Sequence, residues 1–261
     1  MFIPEVAEAF QLAGVTALIY DPRSTGASEG QPRNEIDPMK QIEDYSDAAT
    51  FLGTLPVVDP NCIGFWGMSF SATIALCAAA LDKRAKFVIA ICPLMSFEHS
   101  GIERFSNILA KTMRDREFQM KGNKPFYLPL ISDKGDTPAG IGIWADREVL
   151  EFITNAKERV APTFESHITI QTYYKMVMWQ PNGIMRYVSP TPVMVVVPEL
   201  DKVSSPEEQV ALFNSLSQPK RLHMAPGKGH LNVLSGEDFP VLMKLQADWL
   251  QSALDGTMDL E

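Results

Sequence analysis

Two patterns of apolar residues alternate in the N-terminal and C-terminal parts of this 261-residue chain. Short, nearly continuous apolar runs predict buried strands, and they cover Val15–Tyr20, Asn61–Trp66, Lys86–Cys92, Val193–Val197 and Arg221–Met224. Stretches with apolar residues at helical spacing predict helices, and they cover Pro4–Ala13, Pro38–Leu55, Ala72–Leu81, Pro206–Leu216 and Phe239–Leu254. Strands that alternate with helices are typical of a doubly wound, mainly parallel sheet, so the pattern predicts an α/β fold.

The middle of the chain breaks this alternation. From Leu94 to Tyr187 the pattern indicates helical pieces rich in large apolar side chains, with a Pro- and Gly-rich stretch between Gly122 and Gly142. A long insertion between two halves of one sheet is best interpreted as a helical cap over the active-site edge. We therefore predict an α/β core formed by residues 1–93 and 189–261, and a cap or lid formed by residues 94–188.

Composition narrows the class of protein. The formal net charge of −9 argues against nucleic acid and anionic membrane surfaces as partners, because both are bound through clustered cations. No apolar run is long enough to span a bilayer, and the first residues lack the basic start of a signal peptide. The cysteines Cys62, Cys77 and Cys92 lie in apolar stretches, which indicates buried, reduced thiols. These features predict a cytoplasmic protein.

The segment Ile63–Ala72 carries the strongest chemical signal. A predicted strand runs into the tight turn Gly67-Met-Ser-Phe-Ser71, and a helix follows at once. A nucleophile elbow needs this arrangement, with small residues two positions before and two after the serine. Gly67 fits the usual pattern, whereas Ser71 stands where glycine is usual. We predict that Ser69 is a nucleophile and that the backbone N–H of Phe70 is one donor of its oxyanion hole.

A serine nucleophile needs a base and an acid that orients the base, and in this fold they follow the serine in the order acid, histidine. Asp201 lies in the loop after the Val193–Val197 strand, with Glu199 as the competing acid. His230 ends a Gly-rich loop after the next strand and is the predicted base. The remaining histidines have weaker cases: His223 is interpreted as a structural residue of a strand. His99 and His167 lie in the predicted cap, where a surface role is favoured over contact with substrate.

Metal and phosphate chemistry have no support in the motifs. The sequence contains no His-Glu-x-x-His, no Cys-x-x-Cys and no Gly-rich loop that ends in Gly-Lys-Ser or Gly-Lys-Thr. The turn-rich stretch Ser24–Gly30 looks like a phosphate cradle but lacks the lysine. We expect neither a metal nor a cofactor.

With these residues in place, the chain resembles the fungal polyketide thiohydrolases and polyketide acyltransferases of the α/β-hydrolase superfamily, and more distantly the X-Pro dipeptidyl-peptidase-like hydrolases. The resemblance covers nearly the whole chain and rests on these stretches: Tyr20–Gly30, Asn34–Pro38, Gly64–Ser69, Glu199–Asp201 and Gly229–His230. It implies release of a polyketide acyl chain from a carrier-protein thioester, to water or to a hydroxyl, including lactonisation. The implied partners are a small-molecule acyl substrate and a polyketide synthase acyl carrier protein.

The start of the chain departs from this family. Members usually carry an N-terminal segment that supplies the first three strands and the second oxyanion donor, and the pattern predicts that this chain lacks those strands. The third strand normally lies between the strands predicted at Val15–Tyr20 and Asn61–Trp66. Either the sequence is truncated, which we favour, or these two strands pair directly and the oxyanion site is rebuilt.

Two hypotheses from different classes follow. The first is acyl-enzyme catalysis through Ser69, Asp201 and His230, with substrate bound by large side chains, of which we single out Trp66, Met68, Trp144, Tyr173 and Trp179. The second is a catalytically silent polyketide-binding scaffold or non-covalent cyclase, motivated by the missing oxyanion loop. A peptidase is supported only by the distant X-Pro kinship.

Overall fold

The computed structural model describes residues 3–95, 101–129 and 151–258, apart from 153, 156, 159, 160, 162 and 163. Contacts within the chain divide it into two compact units. The sheet unit comprises Phe2–Ile19, Ile42–Met95 and Pro181–Glu261, and the hairpin unit comprises Tyr20–Gln41 and Ser96–Gln180. Tyr20–Gln41, which we placed in the predicted core, is thus grouped with residues of the predicted cap. The assignment of 94–188 as a cap stays a prediction.

The described helices in chain order are α1 (Ile3–Leu12), α2 (Pro38–Leu52), α3 (Phe70–Leu81), α4 (Gly101–Met120), α5 (Gln171–Met178), α6 (Pro206–Ser215) and α7 (Phe239–Asp255). The described strands are β1 (Phe65–Met68), β2 (Val88–Ile91), β3 (Tyr127–Pro129), β4 (His167–Thr169), β5 (Val193–Pro198) and β6 (Lys220–Ala225). Two 3₁₀ turns, Pro60–Cys62 and Pro181–Tyr187, are also present.

Four parallel strands form the sheet of the sheet unit, in the order β1-β2-β5-β6. Gly67 pairs with Ala90, Ala90 with Val195, and Val195 with Leu222, so the strands end at one common edge. The central strands β2 and β5 are buried along their whole length, because helices cover both faces of a parallel sheet. The doubly wound, mainly parallel α/β architecture predicted from the sequence is confirmed.

Helices α1 and α7 pack together on one side of the sheet. Val6 and Phe10 of α1 and Trp249 of α7 share a buried cluster with Met194 of β5. Helix α3 is buried along most of its length, from Ala72 to Ala80, which explains its run of alanines: small side chains allow close packing all round. The core therefore holds β1 and α3, and the turn between them, in a fixed position.

The segment Val15–Tyr20 is a correction to the sequence prediction. It forms no strand, and Ile19 and Tyr20 are exposed. A strand requires a neighbour that accepts and donates its backbone hydrogen bonds, and β1 pairs only with β2 among the described strands. Direct pairing of Val15–Tyr20 with β1, the second alternative considered above, is therefore not observed. The strand predicted at Asn61–Trp66 also begins later, at Phe65, because Asp59 caps a 3₁₀ turn through the amide of Asn61.

The hairpin unit contains two short strands that the sequence pattern did not reveal. β3 and β4 pair antiparallel, and Ile168 and Ile170 form a small core with Ile108 of α4 and Tyr173 of α5. Three-residue strands are too short to display an alternating period. No helix among the described residues is long and apolar enough to cross a membrane.

An ion network joins separate segments of the hairpin unit. The Nζ of Lys175 in α5 lies 2.7 Å from Glu35 Oε1 and 2.7 Å from Asp37 Oδ2. Thr169 Oγ1 donates a hydrogen bond to the other oxygen of Glu35. Burial by itself lowers the pKa of Lys175. The contacts with Asp37 and Glu35 outweigh burial, so the pKa is raised overall. The same ion pair lowers the pKa of Asp37 against the effect of its burial.

Candidate active site

Ser69 occupies the turn between β1 and α3 in a strained backbone conformation. Its φ of 59° and ψ of −126° are unusual for a residue with a side chain. The conformation is held by hydrogen bonds from Ser69 N–H to the Ile91 carbonyl at 2.8 Å and from Leu94 N–H to the Ser69 carbonyl at 3.3 Å. The serine side chain is thereby fixed at the end of the strand, at the sheet edge where β2 and β5 also end.

Gly67 makes this turn possible. A Cβ atom at Gly67 would overlap the carbonyl group of Ser71 and lie 2.8 Å from the amide nitrogen of Ala72. Any side chain at this position would therefore push α3 away from β1. Ser71, which stands where glycine is usual, is exposed, so the larger residue is accommodated. Phe70 is the first residue of α3, which places its predicted oxyanion-hole N–H at a helix N-terminus.

The loops after β5 and β6 bring Asp201 and His230 to Ser69. His230 Nε2 lies 2.8 Å from Ser69 Oγ, and His230 Nδ1 lies 2.9 Å from Asp201 Oδ2. A carboxylate only accepts hydrogen bonds, so Nδ1 carries the proton and Nε2 of the neutral ring accepts one from the serine hydroxyl. The side chains of His230 and Asp201 are 7% and 0% exposed, which shields the pair from water. The structure thus joins the three residues that the sequence predicts.

The carboxylate of Asp201 is fully hydrogen-bonded. Oδ1 accepts from the backbone N–H groups of Val203 and Ser204, at 2.8 and 2.9 Å. Oδ2 accepts from His230 and, at 2.9 Å, from Nε2 of Gln209. Buried carboxylates are retained only where donors compensate for the lost hydration. Gln209 was missed by the sequence analysis, because its only signal was a glutamine near the start of a helix.

Cys92 is a further neighbour of the pair that sequence reasoning did not place. It follows β2 with a φ of 40°, is fully buried, and its Sγ lies within 4.8 Å of ligand-type atoms of Asp201 and His230. Burial, and then the charge of Asp201, raise the pKa of the Cys92 thiol well above its ordinary value. The thiol is therefore neutral near Asp201.

The expectation of buried cysteines holds for Cys77 and Cys92 and is wrong for Cys62. Cys62 is exposed because it ends the 3₁₀ turn, where the sequence pattern had predicted a buried strand. Its Sγ lies 3.6 Å from Asp59 Oδ2. Burial, followed by the charge of Asp59, raises the pKa of this thiol.

The competing residues have other partners. Glu199 Oε2 accepts a hydrogen bond from the backbone N–H of Gly227 at 2.8 Å. His223 is half-buried in β6, and burial together with Arg221 lowers its pKa. His167 is exposed in β4, with Nε2 3.5 Å from a carboxylate oxygen of Glu165. His99 lies outside the described residues.

The predicted substrate-binding residues are distributed over both units. Trp66 and Met68 are partly buried against the cluster around Met194, and Trp66 Nε1–H donates to Gln246 Oε1 at 2.8 Å. Tyr173 and Trp179 are buried in the hairpin unit, and burial raises the pKa of Tyr173 to about 12. Trp144 lies outside the described residues. The substrate-binding role of all five stays a prediction.

Residues of the types that bind metal ions also lie close together at this site. Among the described residues, Cys92, Asp201 and His230 form a group whose candidate ligand atoms all lie within 4.8 Å of one another. In the structure, however, the Asp201 carboxylate and the His230 imidazole are hydrogen-bonded to each other. The arrangement is that of an oriented base beside a serine hydroxyl.

Known proteins share the sequence and the fold of this chain. The sequence profile of the X-Pro dipeptidyl-peptidase (S15) family matches residues 5–232. A thiohydrolase of Eupenicillium brefeldianum is 51% identical over 251 residues, which cover 96% of this chain and 81% of that protein. A polyketide transferase of Penicillium crustosum is 43% identical and covers 97% of this chain and 84% of its own length. The crystal structure of the α/β hydrolase GrgF from Penicillium superposes with a TM-score of 0.86, at 38% identity, over 97% of this chain and 85% of GrgF.

Proposed function

Because this chain belongs to the X-Pro dipeptidyl-peptidase (S15) family of α/β hydrolases, and to its branch of fungal thiohydrolases and polyketide transferases, we propose that it is a serine acyl-enzyme catalyst. Its substrate is a polyketide thioester or ester, and its product is the acyl chain released to water or transferred to a hydroxyl. The relatives' hydrolase and transferase names support enzyme activity in secondary metabolism.

The observation that carries the proposal is the hydrogen-bonded series Ser69–His230–Asp201, with distances of 2.8 and 2.9 Å. A serine hydroxyl is a weak nucleophile until an adjacent base accepts its proton. Asp201 holds the imidazole in the tautomer whose Nε2 can accept that proton. The same carboxylate stabilises the imidazolium that forms.

The proposed reaction has two halves. Ser69 Oγ attacks the thioester carbonyl carbon while its proton passes to His230 Nε2. The negative charge on the carbonyl oxygen is stabilised by the backbone N–H of Phe70 at the start of α3. The C–S bond then breaks, and the leaving thiolate takes the proton from His230. Water or an alcohol next attacks the Ser69 ester, with His230 again accepting a proton and returning it to Ser69 Oγ.

Hydrolysis and transfer share this acyl-enzyme, so they differ only in the second nucleophile. The relatives include both a thiohydrolase and polyketide transferases, which supports a common first half-reaction. Intramolecular attack by a hydroxyl of the acyl chain would give a lactone. A thioester substrate also implies delivery by the acyl carrier protein of a polyketide synthase, which we include in the proposal.

An active-site fluorophosphonate probe tests the nucleophile directly. We expect stoichiometric labelling that maps to Ser69 and disappears in Ser69→Ala. Ser71→Ala is the matched control, because Ser71 is exposed in the same turn, two residues away, and this variant should label normally. A folded protein that resists labelling would instead support the silent scaffold.

A second assay separates hydrolysis from transfer. The protein is incubated with N-acetylcysteamine thioesters of hydroxylated and plain acyl chains, with and without added alcohol, and products are identified by mass spectrometry. Free acid alone indicates a hydrolase, an ester indicates an acyltransferase, and a lactone indicates cyclisation. Each product should be absent with Ser69→Ala.

A further inference from the structure

A glutamine on helix α6 contacts the proposed catalytic acid. Gln209 is completely buried, and its Nε2 donates to Asp201 Oδ2 at 2.9 Å and to the Ser204 carbonyl at 2.7 Å. The amide orientation is determined, because a flipped amide would place Oε1 against two acceptor oxygens. The Oε1 atom of Gln209 is buried and has no hydrogen-bond partner among the described residues. Only the donor side of this amide is used.

The position of the contact suggests what it does. Oδ2 of Asp201, which accepts the hydrogen bond from Gln209, also accepts the hydrogen bond from Nδ1–H of His230. Each additional donor stabilises the ionised carboxylate, so less of its negative charge is left to attract the other donor. Gln209 therefore moderates the attraction of Asp201 for the imidazolium.

Gln209 also fixes the loop that carries the acid. Its two bonds connect α6 to both ends of the Asp201–Ser204 turn, and Ser204 Oγ donates to the Pro93 carbonyl at 2.7 Å. The turn after β5 is thus linked to the segment after β2. The amide thus ties this turn to α6, while the N–H groups of Val203 and Ser204 hold the other carboxylate oxygen and keep the acid oriented toward His230.

Resting on the acyl-enzyme function proposed above, we infer that Gln209 is a positioning residue that fixes the Asp201 carboxylate and sets the pH range in which His230 acts as a base. Removing its donor leaves a more strongly accepting Oδ2, so the imidazolium proton is held more tightly. The acid limb of the rate–pH profile then moves to higher pH.

Other described titratable and charged groups lie on the elements that surround Asp201 and His230, and none of them replaces the contact made by Gln209. Cys92 faces the pair from the end of β2 as a neutral thiol. Among the residues that the structure describes, the flanking loops and α6 also carry charged groups: Glu199, bonded to Gly227 N–H; Lys202, exposed; Glu208, with a buried carboxylate oxygen; and Lys228, paired with Asp238. None of them donates a hydrogen bond to Oδ2 of Asp201, which accepts from Gln209 and His230 among the described residues.

Gln209→Met tests the inference, since methionine fills similar space and removes only the donor. The rate of fluorophosphonate labelling of Ser69 is measured across pH. We expect the acid limb to move upward by about half to one pH unit, which lowers the rate below that limb by about three- to tenfold. Gln209→Leu, which also removes the donor without adding a charge, should move the limb in the same direction, and it carries the test if the methionine variant does not fold.

Gln246→Met is the matched control, because Gln246 is another fully buried glutamine of the sheet unit whose contacts lie elsewhere, on Trp66. It should lower the melting temperature without moving the acid limb. An NMR titration of the His230 ring protons in a Ser69→Ala background, with and without Gln209→Met, gives the same comparison without any acylation. Unchanged protonation of His230 in both Gln209 variants would overturn the inference, whereas absence of Ser69 labelling in the native chain would overturn the proposed function alone.

Discussion

His230 Nε2 lies 2.8 Å from the Oγ of Ser69, although 161 positions separate the two residues in the chain. The contact exists because β1 and β6 end at the same edge of one parallel sheet. Ser69 follows β1 directly, and the loop after β6 delivers His230. The sheet thus turns two distant loop positions into one hydrogen-bonded group.

Asp201→Asn should lower kcat/KM by about 10³- to 10⁴-fold. An asparagine has one acceptor oxygen, whereas both oxygens of Asp201 accept hydrogen bonds, from Val203, Ser204, Gln209 and His230. The NH₂ group of the asparagine would therefore point at N–H donors and repel them. If it faces His230, the proton of the imidazole moves from Nδ1 to Nε2, and Nε2 can no longer accept the proton of Ser69. Thioester hydrolysis measures the loss.

Glu199→Gln is the control for that variant. Glu199 is the other carboxylate of the loop, and its Oε2 accepts from Gly227 N–H. We expect this variant to keep kcat/KM near the native value. If Glu199→Gln were the inactive variant and Asp201→Asn were active, the assignment of the acid would be wrong.

Gly67→Ala should destabilise the fold by about 1–3 kcal/mol and abolish labelling of Ser69. The added methyl would overlap the Ser71 carbonyl group and displace the start of α3 from β1. Gly183→Ala is a suitable comparison, since a Cβ there meets nothing within 4 Å. Chemical denaturation measures both free energies of unfolding. Equal stability and labelling of the two variants would contradict the close approach at Gly67.

Lys175→Met should lower the free energy of unfolding by about 1–2 kcal/mol, because it leaves Glu35 and Asp37 without their shared cation. The pKa of Lys175 is raised above its ordinary 10.5, so its contribution is lost as pH rises through that raised value. The pKa of Asp37 is lowered below 3.8, so its contribution is lost as pH falls through that lowered value. The difference from the native chain should therefore be constant between about pH 4 and pH 10.

Lys244→Met provides the exposed counterpart. Lys244 and Asp248 form an ion pair one helical turn apart, with side chains 75% and 65% exposed. Removal of this pair should cost no more than about 0.5 kcal/mol. A larger loss for Lys244→Met than for Lys175→Met in urea unfolding would show that the ion network contributes little.

Thiol titration with a chromogenic disulfide should detect one thiol in the native chain and three after denaturation. Cys62 is exposed, whereas Cys77 and Cys92 are buried. Burial raises the pKa of Cys77 to about 12, and the pKa of Cys92 is also raised. The reaction of Cys62 should accelerate as pH rises, because the pKa of its thiol is raised as well. The native signal should vanish in Cys62→Ser; a second fast thiol would contradict the burial of Cys77 or Cys92.

Local periodicity predicted most helices and central strands, since burial on one or both faces leaves a direct trace in the order of apolar residues. Periodicity gave wrong or missing predictions where the formation of a strand depends on a neighbouring strand that supplies its backbone hydrogen bonds. Val15–Tyr20 has strand-like composition but no strand partner among the described residues. β3 and β4 have three residues each and exist through their mutual hydrogen bonds.

The sequence by itself determined the α/β alternation, the elbow around Ser69 and the loops that carry Asp201 and His230, because each depends on residues adjacent in the chain. Only the tertiary structure decided that Asp201 and not Glu199 contacts His230, that Gln209 shares the acid's Oδ2, and that Cys92 lies beside them. Those contacts depend on strand register and on the path of loops in space, and no local pattern of hydrophobic and polar residues records them.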